Sequence, residues 1–314
     1  MMKRKNLGMA IGAVSLMTVI AGCGTAAKSA SSTPVATVQN VPITPAQLAN
    51  FVSMTEFFQG QSLPATAQEK SLEVKALVQQ TAVNQWALAH HLITQKKASS
   101  QAKSIISSQI ESQVGGAKGL TSLLKSKKLS MGTLDSYVTD QMITQSAFTY
   151  ATKSVKAPTT AQEQTYYNQN KSTFANPPQD EINDIVVKTQ TQAKSILSQL
   201  SHGGNFAQLA KKDSTSSTAK SGGSLGYLPV SPTGGMSQGM YTAVQSMKTG
   251  QYSTYHGSQG YHVIQLVATK PASTQAFSAV QSQIKQSLLT QSQDTAYQAF
   301  AAKIQKSMKV TIGK

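Results

Sequence analysis

Residues 182–210 read INDIVVKTQTQAKSILSQLSHGGNFAQLA, and the fold turns on how this stretch divides. Ile182, Ile185, Val186 and Val187 make a short, β-branched apolar run, the length of one buried strand. Ala193, Ile196, Leu197 and Leu200 then fall at i, i+3, i+4 and i+7, which turns an apolar stripe to one side of a helix. Phe206, Leu209 and Ala210 give a second, shorter helix. Residues 214–224 form a flexible Ser/Thr/Lys/Gly loop, followed by an extended segment at 225–228, a short helix near 241–247 and a strand at 261–267. Strand, two helices, strand, helix and strand define an α+β domain in which helices cover a small sheet.

Outside this stretch the periodicity is helical. Pro42-Ile43-Thr44-Pro45 offers a turn and a helix start, with Thr44 as N-cap and Pro45 in the first helical position. Leu72, Ala76, Val83, Trp86 and Leu88 keep helical spacing, as do Leu134, Val138, Met142 and Ile143. Gly115-Gly116 and Gly119 break the pattern, and 120–129 resumes it. Ala157-Pro158-Thr159 starts a further helix that Pro177-Pro178 ends. In the tail, Phe277, Val280, Ile284, Leu288, Phe300, Ile304 and Met308 hold an apolar stripe over a helix that cannot stand alone in water. Val310–Ile312 reads as a closing strand able to pair with 35–38. That pairing predicts one discontinuous helical domain built from both ends of the chain, with the α+β domain inserted. A head-to-tail arrangement is the alternative.

The 314 residues carry 28 Lys plus Arg against 12 Asp plus Glu, and 39% are hydrophobic, which is enough for a packed core. The only arginine is Arg4, so bidentate guanidinium readout of bases or phosphates is excluded from the rest of the chain. A single cysteine, Cys23, excludes an internal disulfide and a cysteine-cluster metal site. Lys3, Arg4 and Lys5 precede an apolar run at 7–21 that is shorter than a membrane span, the layout of an export signal. Ile20-Ala21-Gly22-Cys23 resembles a bacterial lipobox, which implies cleavage before Cys23, lipid on its thiol, and a tether at 23–34. Cleavage removes three basic residues and lowers the formal charge from +16 to +13, a balance that favours contact with anionic wall polymer or lipid heads outside the membrane. Simple solubility is the plainer account of the same charge.

Five further motifs carry a family resemblance. They are Val35-Ala36-Thr37-Val38 with Pro42-Ile43-Thr44; Tyr166-Tyr167-Asn168 with Phe174; Phe206-Ala207-Gln208-Leu209-Ala210-Lys211; Gly222-Gly223-Ser224-Leu225-Gly226; and Gly260-Tyr261-His262-Val263-Ile264. With them the chain resembles PrsA-type foldase lipoproteins, related in layout to SurA and trigger factor, and the last three resemble parvulin-type peptidyl-prolyl isomerase domains. The resemblance implies a mostly α protein with an α+β insert: a discontinuous helical chaperone domain at 35–176 and 271–314, and at 177–270 a parvulin-like domain with a small antiparallel sheet. Residues 1–22 would be the signal. The implied function is a membrane-anchored folding factor that binds unfolded, newly exported proteins and isomerises X-Pro bonds, with no cofactor and no metal.

Carried over residue by residue, His262 matches one of the family's paired histidines, and Asp184 stands where the first-strand histidine would be. Ser224 takes the usual aspartate or cysteine position, which completes the catalytic set implied by the resemblance. Met236, Met240, Leu225 and Tyr227 are the implied substrate-binding residues, with Met240 replacing a phenylalanine; Gly257 replaces a frequent threonine. An Asp184–His262 hydrogen bond, with Ser224 adding a hydroxyl, would hold such a site together. Each residue also has a structural reading: His262 as a core histidine, Asp184 as a strand end, the methionines as packing. His90-His91 reads as packing rather than metal binding, since adjacent helical residues do not share a face. A binding-only chaperone with an altered parvulin pocket is the second functional class. A solute-binding lipoprotein is the third, and the long helical segments oppose it.

Overall fold

The structure is a computed structural model that describes residues 33–63 and 66–313. The expected signal at 1–22, Cys23 and nearly all of the expected tether at 23–34 lie outside the described residues. Chain contacts divide the protein into two compact units, one from residues up to Pro158 together with Gln286–Lys314, the other Thr159–Lys285.

The first unit opens with strands β1 (Ala36–Val38) and β2 (Val41–Ile43). The sequence places a turn at Pro42, but Val41–Ile43 pairs antiparallel with β1 around Gln39-Asn40, both at positive φ (51° and 65°). Asparagine tolerates that region, and the resulting tight turn matches strand twist. Six helices follow: α1 (Pro45–Gln59), α2 (Ala67–Ala89), α3 (Gln95–Ile105), α4 (Glu111–Gln113), α5 (Gly116–Ser126) and α6 (Met131–Thr152). A π-helical turn at Ile106–Ile110 joins α3 to α4. Thr44 caps α1 in a capping box with Gln47, and Thr66 does the same for α2 with Glu69; such caps contribute about 0.5–2 kcal/mol each. Met54, Ile110, Leu120, Leu124 and Leu134 form one apolar cluster, and Val83, Ala87, Ile143, Tyr297 and Ala301 another.

The second unit contains α7 (Thr160–Gln169), β3 (Ala175–Asn176), β4 (Gln179–Val187), α8 (Gln190–Ser201), α9 (Phe206–Asp213), β5 (Ser224–Pro229), α10 (Gln238–Val244), β6 (Tyr252–Gly257), β7 (Gly260–Lys270) and β8 (Ser273–Thr274). Strands β5, β4, β7 and β6 lie in that order in an all-antiparallel sheet. One face, through Ile185, Val187 and Val263, is covered by Ala193, Ile196 and Leu200 of α8 and by Phe206 and Leu209 of α9. The other, through Ile182, Ile264 and Leu266, meets Met236, Met240 and Val244 in and before α10. The start of loop 214–224 is bonded to β4: Ser214 Oγ accepts from Val186 N, and Thr215 N donates to Val186 O at 2.8 Å. β6 is absent from the sequence reading because Tyr252, Ser253, Thr254 and His256 dilute its apolar alternation.

Helix α11 (Phe277–Ser307) begins in the second unit and continues into the first. β9 (Val310–Ile312) then pairs antiparallel with β1, Ala36 opposite Ile312 and Val38 opposite Val310. The helical domain is therefore discontinuous, and a small antiparallel sheet with its helices is inserted in it.

Candidate functional site at the Asp184–His262 pair

The β4–β7 register sets Val186 opposite His262 and Asp184 opposite Ile264, so Asp184 and His262 are diagonal neighbours on one face of the sheet. Both are buried, at 5% and 7% exposure. His262 Nδ1 lies 3.0 and 2.9 Å from the two Asp184 oxygens. An ionised carboxylate only accepts, so Nδ1 carries the proton and Nε2 is left to accept from another donor while the ring is neutral. Next to Asp184, the backbone is held by its own N–H donating to Gly223 O at 2.8 Å. A Cβ at Gly223 would stand 2.7 Å from Asp184 O, and φ there is +82°, so both contact and conformation require glycine.

Two residues absent from the sequence reading complete the surroundings of His262. Tyr255 of β6 pairs with His262 and stacks on its ring, centroids 4.4 Å apart and planes 11° from parallel. Ser237, the N-cap of α10, donates from Oγ to Tyr255 Oη at 3.3 Å. Burial pushes the Tyr255 phenol pKa up and the Asp184 charge adds to that, against the Ser237 hydrogen bond. A signal for Tyr255 exists: a two-residue turn at Ser258-Gln259 between Gly257 and Gly260 puts it across from His262 by counting. Gly257 leaves room for the imidazole, since a Cβ there would meet Nε2 at 2.7 Å.

Met236 and Met240 lie in the cluster beneath this face at 2% and 5% exposure, with Leu225 packed against it. Ser224 and Tyr227 are not brought to the pair. They stand opposite Asn183 and Glu181, whose side chains alternate away from Asp184 to the other face of β4. Ser224 Oγ accepts from Gly226 N, and among the described residues no hydrogen bond joins it to Asp184 or His262. Tyr227 lies under Lys270, whose Nζ is 3.4 Å from the ring centroid. The expected Ser224 hydroxyl contribution to the His262 network is thus absent from this arrangement, because a bulge at Leu225 sets the side chains of β5. Cys23 lies outside the described residues. His90 stacks on Trp86 at 4.0 Å, with Nδ1 2.9 Å from Trp86 O. Among the described residues no three His, Cys, Asp or Glu side chains gather to hold a metal ion, and no helix is long and apolar enough to cross a membrane.

A fixed imidazole beside a buried carboxylate and an aromatic ring is a polar spot on an apolar floor. It can orient a carbonyl or an amide nitrogen without making a covalent bond.

The profile of the PPIC-type PPIASE domain family matches residues 158–282, which include every strand and helix that builds this face. A foldase protein PrsA of Clostridium botulinum (strain Loch Maree) is 31% identical over 60% of this chain and 56% of its own length. PrsA of Clostridium kluyveri is 28% identical over 63% of this chain and 64% of its own. A solved structure from a study of two SurA-like chaperones of Campylobacter jejuni covers 89% of this chain and all of its own, at 20% identity and a TM-score of 0.47. The chain spans about half the length of the curated relatives it matches first. Over that stretch it is homologous to PrsA-type foldases, and residues 158–282 match the PPIC-type domain model.

Proposed function

We propose that this chain is an extracytoplasmic folding factor, held at the outer face of the cytoplasmic membrane by lipid on Cys23, that binds unfolded, newly exported proteins and acts on their X-Pro bonds. The observation that carries the reading is the buried Asp184–His262 contact inside the segment that matches the PPIC-type domain. The parvulin-like part is placed at 177–270 and the helical holder at 35–176 and 271–314. Isomerisation passes through a twisted amide with a barrier of about 18–20 kcal/mol for ordinary peptide bonds, eased at proline by the tertiary nitrogen. His262, fixed by Asp184, orients that amide; Met236, Met240 and Leu225 form the adaptable floor beneath the proline ring. Ser224 and Tyr227, on the other side of edge strand β5, contact the chain that flanks the proline. The net positive charge draws the protein to anionic wall polymer, an attraction that salt weakens.

The second reading, a binding-only chaperone, is favoured by Ser224 standing away from the pair and by the burial of both methionines. Proline isomerisation and suppression of client aggregation, measured on the same purified protein, separate the two. Both activities support the first reading; suppression alone supports the second; neither removes both. Anchorage has its own test: Cys23→Ala should lose acyl labelling and leave the membrane fraction, and retained label would refute the lipid assignment.

A further inference from the structure

Within the helical unit, α1, α2, α6 and α11 surround a cavity of about 180 Å³. Three rings, Phe51, Tyr137 and Tyr297, and five carboxamides, among them Gln80 and Gln141, give it its character. None of the residues that line it is charged at neutral pH, in a chain with 28 Lys plus Arg. Tyr137 is pushed above its ordinary pKa by burial and Tyr297 is pushed up to about 12 by the same cause, so both phenols are neutral. A phosphate, a nucleotide or a metal ion finds no counter-charge here.

The carboxamides are the second feature. Gln79 and Gln298 bond to each other across the cavity, Nε2 to Oε1 at 3.2 Å. Gln80 and Gln141 are half-buried, and neither carboxamide bonds to another described residue. A carboxamide offers two donors and an acceptor oxygen, the complement of a peptide group, and half-buried amides gain most from a partner that arrives with its own donors and acceptors. Size decides what else enters. At about 180 Å³ the cavity lies well below the roughly 300–1,000 Å³ of small-molecule sites. That is room for one large apolar side chain between the rings.

We propose that this cavity is an anchor site for an unfolded polypeptide, taking one large apolar or aromatic side chain among Phe51, Tyr137 and Tyr297 while Gln80 and Gln141 bond the flanking peptide groups. The inference rests on reading the helical unit as a holder of unfolded chains. Because amides recognise backbone and the rings recognise only bulk, the site selects segments by one apolar anchor and by lack of charge at it, not by sequence.

The test uses the purified chain from residue 24 onward and a dye-labelled, end-capped Gly/Ser peptide with one central phenylalanine, its alanine counterpart, and chitotriose as a neutral sugar with similar polar groups. Peptide anisotropy should show the phenylalanine peptide binding at least tenfold more tightly than the alanine peptide. Ala76→Phe, which fills the cavity from α2, should weaken the phenylalanine peptide at least tenfold. Gln80→Ala with Gln141→Ala, which keeps good helix formers in place, should weaken it several-fold with the unfolding transition of Trp86 unchanged, so a folding defect in the filled variant cannot mimic the result. Equal affinity of the phenylalanine peptide for wild type and both variants would overturn the proposal, as would no peptide binding, or chitotriose binding in its place. Aggregation suppression is read separately. Suppression by wild type with unaltered peptide affinity in the variants removes the cavity and leaves the folding-factor reading standing, whereas absent suppression removes that reading and leaves the titration to decide the cavity.

Discussion

At His262 three contacts fix one imidazole: the Asp184 carboxylate at its Nδ1, the Tyr255 ring on its face, and Gly257 beside its Nε2. Gly257→Ala should therefore displace the ring, since Nε2 and Cδ2 would be 2.7 and 3.0 Å from the new Cβ. Overpacking of this kind costs about 1–3 kcal/mol, which a denaturant titration of the second unit would register; an unchanged midpoint would mean that the ring has room to move. Tyr297 is 5% exposed, and burial pushes its phenol up to about 12. Its folded pKa exceeds the unfolded value near 10, so the unfolded chain loses the proton first. The contribution is fully present below pH ~10 and is lost as pH rises toward about 12, by up to roughly 2–3 kcal/mol. Tyr297→Phe should remove that part of the alkaline destabilisation in pH-resolved melts, and identical wild-type and variant curves above pH ~10 would contradict it. The Asp184–His262 contact was legible only through resemblance, because the two residues are 78 positions apart and nothing local couples them. The side-chain direction of Ser224 was not legible for the complementary reason: sequence order shows its strand but not the bulge that decides which way its side chain turns.

Among the elements, the helices were legible because their caps and spacings are local. Thr44, Thr159 and Thr189 each stand before a glutamine at the third helical position, and all three form capping boxes. Strands with one polar face were harder. β6 carries a hydroxyl or imidazole at most positions, and Pro42 masked β2 although its edge position leaves a proline tolerable. The pairing of β9 with β1 was legible because each is a short β-branched run, and β1, paired with β2 along one edge, takes β9 along the other. It yields a test: a chain ended at Lys309 loses that pairing, so amide hydrogens of Ala36–Val38 should exchange at least tenfold faster while α6 keeps its protection. Unaltered protection of β1 would show that β2 and α2 hold it unaided.

For the whole molecule, two compact units predict two separable transitions. Trp86 is the only tryptophan and reports the helical unit, where it packs edge-on against Phe300 with centroids 4.9 Å apart. Gly257→Ala should move the transition seen at the His262 ring proton resonances and leave the Trp86 fluorescence transition in place. A joint shift of both would show that the units unfold as one. Exchange spectroscopy on a short X-Pro peptide, with the purified chain present at catalytic concentration, decides whether the Asp184–His262 face acts on proline bonds as proposed. Wild type should speed cis/trans exchange above the peptide alone, and Asp184→Ala and His262→Ala should each lower that rate at least tenfold, while suppression of client aggregation stays within twofold of wild type. Wild-type exchange no faster than the free peptide would rule out action on proline bonds, and fast exchange untouched by either substitution would rule out this face as its site.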